Sequence, residues 1–287
     1  MTPKFMDLSI IIVSWNTREA LKNNLTQLLK SQGLSFEVFV VDNNSSDGTV
    51  EVLKAEFPQL NIIANSANHG FAKANNQALA LAGGDFILLL NPDMLVDDQT
   101  TLAKALAWLK SNPQAWVAGF KLLDSTGQIL PQVRRFPTLA DQLAIILKLP
   151  HFFPKLLSRY IIKDFDYEQA SAVDSIRGSF FFIRREALQK VGRLDERFFV
   201  WFEEVDYCRR VYQAGAEVWY APVASATDLV GQSFGLLPRP QAQRYFRASQ
   251  LSYFQKWHPA WQLLILKLAW VFSNLGLKFI SFVRTKK

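Results

Sequence analysis

Short apolar runs alternate with amphipathic stretches over the first 120 residues, and this alternation constrains the fold more than any other feature of the sequence. The runs are almost uninterrupted in apolar character, as is typical of strands in a parallel sheet covered on both faces. We expect strands at 8–13, 36–41, 61–64, 86–90 and 115–120, and helices at 18–31, 47–57, 71–82 and 98–111. The alternation predicts a doubly wound α/β sheet with right-handed crossovers.

The pattern is less regular after about residue 121. We expect a proline-interrupted helical segment over 139–162, a strand over Asp174–Ile183, and helices over Glu203–Ala214 and Ala242–Trp257. The predicted organisation is one domain over 1–240, with halves at about 7–120 and 121–240, followed by C-terminal helices over 241–287.

The composition excludes several classes of protein. Hydrophobic residues make up 49% of the 287 residues, which excludes a disordered chain. A single cysteine excludes a disulfide framework and a Cys-rich zinc site, and the three histidines share no metal-ligand spacing. The net charge of +7 favours an anionic partner, but the basic residues are dispersed, so no nucleic acid is expected.

The tail, Trp261–Val283, is the most apolar stretch of the chain. Its polar residues recur on one helical face, at Lys267, Asn274, Lys278 and Ser281. Lysines within the run favour a helix lying in the membrane interface over one that crosses it. No leader peptide is expected, so the predicted location is cytoplasmic, peripheral on the inner face of the cell membrane. A helix packed on the domain or on a homodimer partner remains the alternative.

Polar residues follow three of the predicted strands, at Ser14–Thr17, Asp42–Thr49 and Asn91–Asp93. Open α/β sheets bind ligands at the carboxyl ends of their strands, so these clusters predict one ligand site. Asp42 can accept a hydrogen bond from a ribose hydroxyl or a base N–H. Asp93 can ligate a divalent metal that bridges two phosphates. Asp47, in contrast, is interpreted as a helix cap.

Seven stretches of the chain, in collinear order between about residues 7 and 258, carry a family resemblance. They are Ser9–Asn16, Val41–Thr49, Asn68–Asn76, Leu88–Asp93, Arg177–Phe182, Gly192–Phe199 and Glu203–Arg209. On these stretches the chain resembles family 2 glycosyltransferases of the GT-A fold, specifically the rhamnosyltransferase-like group. The resemblance implies a mostly parallel central sheet flanked by helices, with a donor half before residue 120 and an acceptor and catalytic half after it.

The activity that the resemblance implies is inverting sugar transfer. The donor would be a nucleoside-diphosphate sugar, with rhamnose one candidate sugar. The acceptor would be a hydroxyl of a cell-surface glycan or a lipid-linked saccharide. UDP and dTDP donors are both compatible with Asp42, which can pair similarly with uracil or thymine.

The donor site implied by the resemblance centres on Asp42, with the backbone near Trp15 and Asn16 beside it. The other candidate donor-binding residues are Ser14, Asn44, Lys73, Asn91, Gly178 and Arg135. Three of these have plain structural alternatives: Lys73 as a solvated helix residue, Gly178 as a strand kink, and Arg135 as part of an exposed loop or a membrane contact.

The catalytic residues implied by the resemblance lie in the acidic cluster Glu203, Glu204 and Asp206. The family's base stands at the second position of this cluster, which is Glu204, and it takes the proton of the acceptor hydroxyl. Glu203 and Asp206 would orient the base or cap the helix; an acidic helix N-terminus that complements the dipole is the alternative. The aromatic run Phe198–Phe202 is expected to desolvate the base and raise its pKa.

The metal site is where the sequence departs from the family pattern. Asn91-Pro-Asp93 stands at the position of the Asp-x-Asp motif, and Asp228 stands where family members carry a histidine before a Gly-Gln-Ser element. Asp93, with Asp228 as a second ligand or unused, predicts a divalent cation, Mg²⁺ or Mn²⁺.

Two other functions stay open at this point. A sugar nucleotidyltransferase would want a basic, glycine-rich first loop, which Ser14–Thr17 lacks. A non-catalytic nucleotide-sugar-binding partner in a glycan synthase complex is compatible with the departures at 91, 204 and 228.

Overall fold

The computed structural model describes residues 6–96, 98–229 and 238–284, and the side chains of these ranges up to residue 273. The first half contains the predicted parallel sheet, because three of its four strands are short apolar runs that are largely buried, while the fourth, at the sheet edge, is partly exposed. Its strands, in spatial order β3–β2–β1–β4, are β1 (Leu8–Ser14), β2 (Phe36–Asp42), β3 (Asn61–Ala64) and β4 (Phe86–Leu90). The intervening helices are α1 (Arg18–Leu28), α2 (Thr49–Glu56) and α3 (Phe71–Leu79).

The second half continues the same sheet with mixed strand directions. Its strands are β5 (Met94–Leu95), β6 (Ala115–Leu123), β7 (Ser171–Val173), β8 (Phe180–Arg184) and β9 (Glu217–Asp228). Strand β8 lies between β4 and β6 and is antiparallel to both, whereas β9 is parallel to β6. Because β8 is antiparallel, its first residue, Phe180, pairs with Leu90 at the carboxyl end of β4. The segment before β8 therefore reaches the predicted ligand edge.

Helices cover both faces of the sheet. They are α4 (Thr101–Ser111), α5 (Leu139–Ile146), α6 (Arg185–Val191), α7 (Glu203–Gln213), α8 (Arg239–Trp257) and α9 (Ala260–Arg284). Leucines of α1 and α4 fill the core on one face, and residues of α3, α6 and α7 fill it on the other. A third apolar cluster joins α7, α8 and α9 beside the sheet.

Two element predictions were wrong in detail. The strand expected over Asp174–Ile183 begins only at Phe180, as β8; residues 174–179 are irregular, and β7 ends just before the predicted range. The helix expected over 139–162 ends at Ile146; Lys148 adopts a left-handed backbone with a φ of 56°, and a short 3₁₀ turn with Pro150 follows. Proline and a left-handed residue both interrupt α-helical geometry.

The C-terminal helix α9 packs against α5 and α8 through Leu266, Ala269 and Trp270. The packing alternative is therefore observed for the first half of this helix. No helix within the described residues is both long enough and apolar enough to span a membrane. The side chains of Asn274, Lys278 and Ser281, on which part of the interfacial prediction rests, lie outside the described set, as do residues 285–287.

Candidate active site

Two cavities adjoin at the carboxyl ends of β1 and β4. The larger has a volume of about 580 Å³ and the smaller about 90 Å³. Phe71, Asn91 and Val200 line both cavities, so the two form one composite site. The larger volume lies in the range typical of ligand sites, and the smaller cavity extends the site along this edge of the sheet.

The smaller cavity is built by the loops that follow β1, β2 and β4. Its wall includes Trp15, Thr17, Asn43, Pro92 and Phe199. The amide nitrogen of Asn43 donates to the carbonyl oxygen of Gly70 at 3.1 Å, which ties the β2 loop to the start of α3.

Asp42 ends β2, precedes the cavity-lining Asn43 and is buried. Its Oδ2 accepts the backbone N–H of Ser45 at 2.9 Å, while its Oδ1 has no hydrogen-bond partner among the described residues. The next loop is fixed by Asn16, whose left-handed backbone (φ 53°) lets its Oδ1 accept the N–H of Ser46 at 2.8 Å. A buried carboxylate oxygen with spare acceptor capacity can accept a donor's N–H or hydroxyl.

Gly70 brings the start of α3 against the loop 198–202. Its φ is +80°, and a Cβ at this position would lie 2.4 Å from the carbonyl oxygen of Phe199. The N–H of Phe71 donates to that same carbonyl oxygen at 2.6 Å. Only glycine permits this close approach, which holds the start of α3 against the loop 198–202 where the two cavities meet.

Glu203 and Glu204 begin helix α7 and line the larger cavity. The two preceding residues, Trp201 and Phe202, both have left-handed backbones, with φ values of 65° and 70°. Such conformations are costly for aromatic residues and are concentrated at functional sites. The turn directs the first residues of α7 into the cavity, where apolar side chains of Phe71, Ile145, Val200, Trp201, Phe202 and Phe246 surround them.

Few positive charges compensate the carboxylates of Glu203 and Glu204. Burial raises the pKa of both carboxyls, and the charge of Glu204 raises the pKa of Glu203 further. The guanidinium groups of Arg134 and Arg177 oppose the rise of the Glu204 pKa. The Oε2 atoms of both glutamates lack hydrogen-bond partners within the described part of the chain. The rise predicted from the aromatic run is therefore confirmed in direction.

Asp206 lies on the other side of α7 and does not line either cavity. Its carboxylate is fully buried and pairs with Arg210 at 2.9 Å and Lys256 at 2.7 Å, and it accepts the indole N–H of Trp257 at 2.8 Å. These contacts attach α8 to α7, and the base-orienting role expected of Asp206 stays a prediction.

Asp93 and Asp228 are brought together by the β5–β9 pairing, in which Met94 lies opposite Asp228. Both aspartates are buried; burial raises the pKa of Asp228, and the charge of Asp93 raises it further. Arg177 Nη2 lies 3.2 Å from Asp228 Oδ2. Residues Gly231–Ser233, part of the motif after Asp228, lie outside the described residues.

The donor set at Asp93 and Asp228 fits a hard divalent cation. Two adjacent buried carboxylates repel each other, and a cation relieves that repulsion. Over the ranges described, no group of three or more His, Cys, Asp or Glu side chains is placed to hold a metal ion. Mg²⁺ in such sites takes one or two carboxylates and completes its shell with substrate phosphates and water, which is compatible with this pair.

The structure brings together many of the predicted site residues and separates others. Trp15, Asn91, Gly178, Glu203 and Glu204 line the composite site. Gly178 approaches Glu204 closely, since a Cβ on it would lie 3.4 Å from the Cβ of Glu204. The remaining candidates lie outside both walls.

Four of these outlying candidates have other contacts or are exposed. Ser14 is buried and shares a hydrogen bond with Thr17 at 2.9 Å, and Asn44 and Lys73 are exposed. Arg135 faces away from the larger cavity and lies 3.7 Å from Asp174, so its neighbour Arg134 occupies the cavity wall instead.

The wall of the larger cavity also holds residues that sequence reasoning did not single out. Tyr160 and Phe246 come from segments that looked like ordinary helical or apolar stretches. The paired arginines gave a signal for Arg134, but nothing in the sequence distinguished it from Arg135.

The composite site lies at the carboxyl ends of the parallel strands, where open α/β sheets bind ligands. The family model described as "Glycosyl transferase family 2" matches residues 9–192, more than half of the chain. The chain therefore belongs to glycosyl transferase family 2, and it is a glycosyltransferase.

Two curated relatives are rhamnosyltransferases. The chain is 24% identical over 269 residues to the N-acetylglucosaminyl-diphospho-decaprenol L-rhamnosyltransferase of Mycobacterium tuberculosis, covering 88% of this chain and 86% of that protein. It is 28% identical over 227 residues to rhamnosyltransferase WbbL of Escherichia coli, covering 76% of this chain and 81% of that protein. These relatives confirm the resemblance to the rhamnosyltransferase-like group.

Solved structures confirm the GT-A-like fold. A mannosyltransferase from Pyrobaculum calidifontis, solved in complex with GDP-Man and Mn²⁺, superposes with a TM-score of 0.59. It is 18% identical in sequence, with 97% of this chain and 76% of that chain covered. The predicted α/β architecture is therefore confirmed, with the mixed second half as its refinement.

Proposed function

We propose that this chain transfers a sugar, with inversion, from a nucleoside-diphosphate donor to a hydroxyl of a lipid-linked saccharide. The observation that carries the proposal is the buried Glu203–Glu204 pair, which faces a cavity of about 580 Å³ and adjoins the smaller cavity beside Asp42. The pair supplies a base, and the adjoining chamber supplies a nucleotide site.

The donor occupies the smaller chamber in this proposal. Asp42 Oδ1 accepts a hydrogen bond from the nucleoside, and Trp15 lies against it in the wall. Asn91 lines both chambers. In this proposal the anomeric carbon of the donor sugar lies beside Asn91 and is open to the larger chamber.

The acceptor occupies the larger chamber. Glu204 takes the proton of the acceptor hydroxyl as its oxygen bonds to the anomeric carbon. The bond from that carbon to the diphosphate oxygen breaks, and the nucleoside diphosphate leaves with the bonding electrons. Attack from the face opposite the leaving group inverts the anomeric centre. The apolar wall excludes water, which would otherwise compete for the same carbon.

Asp93 and Asp228 are the residues that would hold a divalent cation, Mg²⁺ or Mn²⁺, and when bound this cation would neutralise charge on the departing diphosphate. Arg177, paired with Asp228, adds a guanidinium at the same edge of the larger chamber. Both groups favour a product that is a diphosphate anion.

The finer assignments draw on the relatives. Rhamnose is the proposed sugar, on a dTDP or UDP carrier, and a lipid-linked diphospho-saccharide is the proposed acceptor, since one relative is named for such an acceptor. We place the donor half at about 7–120 and the catalytic half at about 121–240, with helices 241–287 associating peripherally with the inner face of the cell membrane. The alternative proposal for the same C-terminal helices is that they pack against a second copy of the chain in a homodimer.

The test is a transfer assay on the purified chain with a panel of UDP- and dTDP-sugars and a lipid-linked saccharide, with Mn²⁺, with Mg²⁺ and with EDTA. We expect metal-dependent product with one donor and an inverted anomeric configuration by NMR. Thermal shift with each nucleotide provides the binding control; a ligand at 100 times its dissociation constant stabilises by about 2.7 kcal/mol. Donor binding without transfer to any acceptor would favour a non-catalytic partner, and no nucleotide binding would contradict the proposal.

A further inference from the structure

An exposed apolar surface lies on the segment that forms one wall of the larger cavity. Leu147, Phe152, Phe153 and Leu156, here called the Phe152–Phe153 patch, have exposed fractions of 45%, 76%, 63% and 48%. Two adjacent phenylalanines exposed to this extent cost solvation free energy, and grouped apolar exposure is typical of an interaction surface.

The charge around this patch has one sign. No Asp or Glu occurs between Asp141 and Asp164, whereas Lys148, Lys155 and Arg159 occur there and are exposed. Apolar side chains interleaved with basic ones match the interface of an anionic bilayer, where rings enter the acyl boundary and cations meet phosphate headgroups. A protein partner of ordinary mixed charge would not need this bias.

Helix α9 extends the surface. Ser273 Oγ donates to the carbonyl oxygen of Ile146 at 3.3 Å, which places the exposed Phe272 of α9 next to the start of the patch. Leu264 and Leu268 of the same helix are also exposed, with Lys267 beside them. No acidic residue follows Asp228 in the chain. The two apolar surfaces therefore adjoin within one basic region.

The patch is coupled to the site through its own backbone. Ile145 and Tyr160 line the larger cavity, and the patch residues lie between them in sequence. We infer that the Phe152–Phe153 patch inserts into the interface of an anionic membrane and sets the mouth of the larger cavity at the lipid surface. The inference rests on the proposed function only for its purpose: a lipid-linked acceptor would enter the cavity without leaving the membrane.

The experiment is sedimentation of the full chain with vesicles made of equal parts phosphatidylglycerol and phosphatidylcholine, and with phosphatidylcholine alone. We expect binding to the anionic vesicles that decreases with added salt. The double variant Phe152→Ser, Phe153→Ser should bind at least about tenfold more weakly, because two rings no longer enter the interface. The variant Leu81→Ser, which changes a leucine that is 64% exposed in the turn after α3, is the matched control and should bind as the unmodified chain does.

Further variants keep the test decisive if the serine variant folds poorly. Phe152→Leu, Phe153→Leu should retain most of the binding, and Lys148→Glu, Lys155→Glu should lose it, whereas the exposed pair Lys30→Glu, Lys54→Glu should not. Unchanged binding of both patch variants would overturn the inference. So would an unmodified chain that ignores vesicles and forms a patch-dependent dimer in sedimentation velocity, because a second copy would then be the occupant.

Vesicle binding requires no catalysis, so its outcome is separate from that of the proposed function. Patch-dependent binding without sugar transfer by any variant would keep the docking surface and overturn the function. With a short-chain acceptor dissolved without vesicles, the serine variant should transfer sugar at the unmodified rate. With the acceptor embedded in anionic vesicles, it should be about tenfold slower.

Discussion

Helix α7 carries buried carboxylates on two sides, and their surroundings differ sharply. Asp206 meets Arg210, Lys256 and the indole N–H of Trp257, so its charge is fully compensated. Glu203 and Glu204 meet an apolar wall, and Arg134 and Arg177 act on Glu204 without a direct ion pair. Of three acidic residues within one helical turn, one is thus compensated by cations and two are not.

The difference separates stability from reactivity. A paired buried carboxylate can hold two helices together, whereas an uncompensated one destabilises the fold and is typical of functional sites. The side of α7 that carries Asp206 faces α8, and the side that carries Glu203 and Glu204, the proposed reactive side, faces the cavity.

The largest expected effect is on turnover in Glu204→Gln. The amide cannot take the acceptor's proton, so kcat should fall by about 10²–10⁴-fold. Initial rates at saturating donor and acceptor check this. Donor affinity by calorimetry is the control and should be unchanged, because Glu204 does not line the smaller cavity.

The next effect is on stability in Asp206→Asn. The substitution removes the ionic partner of Arg210 and leaves Lys256 with Asp195 alone, and breaking a buried ion pair typically costs about 3–5 kcal/mol. Urea unfolding measures the loss, with Glu56→Gln at the exposed Lys22–Glu56 pair as the control, expected to lose about 1 kcal/mol or less. The folded fraction of Asp206→Asn should transfer sugar at close to the normal rate; a selective loss of kcat would break the comparison.

Glu203→Gln should change how both activity and stability depend on pH. Because burial and the charge of Glu204 raise the Glu203 pKa above the ordinary 4.5, the native state binds more protons than the unfolded state, and stability falls as pH rises past that value. The melting temperature of the variant, measured by thermal unfolding, should fall less between pH 5 and pH 8 than that of the unmodified chain. The acid limb of its pH–rate profile should move to lower pH, since one repelling charge is gone.

A smaller shift is expected in Arg134→Ala. The guanidinium lowers the pKa of Glu204, so its loss should raise that pKa and move the acid limb of kcat to higher pH. Arg135→Ala is the matched control, because that side chain lies near Asp174 outside the cavity. Equal shifts in the two variants would show that the effect comes from net charge alone.

The smallest effect is expected in Lys73→Ala. This exposed lysine lies outside both cavity walls, and surface substitutions of that kind change binding free energy by about 0.5 kcal/mol or less. The donor dissociation constant, measured by calorimetry, should stay within about twofold. A tenfold weakening would restore Lys73 to the donor site.

The fold of the first half was predictable because β1 to β4 are continuous apolar runs with helices between them, and local pattern alone defines such units. The insertion of β8 between β4 and β6 was not, because it depends on tertiary pairing of Phe180 with Leu90. The irregular segment at 174–179 was not predictable for the same reason. Its sequence is typical of a strand, but in the folded chain residues 175–179 line the larger cavity.

The candidate site was predictable to the level of its motifs. Glu203 and Glu204 came from the resemblance, and the aromatic run indicated their desolvation. Helical geometry could have separated Asp206 from Glu204, which lies about 200° away around α7, but not from Glu203, which lies only about 60° away. Arg134 and Arg135 could not be separated, because adjacent residues in irregular backbone point in directions that only the folded chain defines.

The central claim is that Glu204 is the base of an inverting transfer, and the most direct measurement is the single-turnover rate against pH for the unmodified chain and Glu204→Gln. The account predicts an acid limb in the unmodified chain with an apparent pKa above the ordinary 4.5 of a glutamate. It predicts a residual rate in Glu204→Gln that lacks this limb. A variant that keeps the unmodified rate, or a slower rate with the same limb, would contradict it.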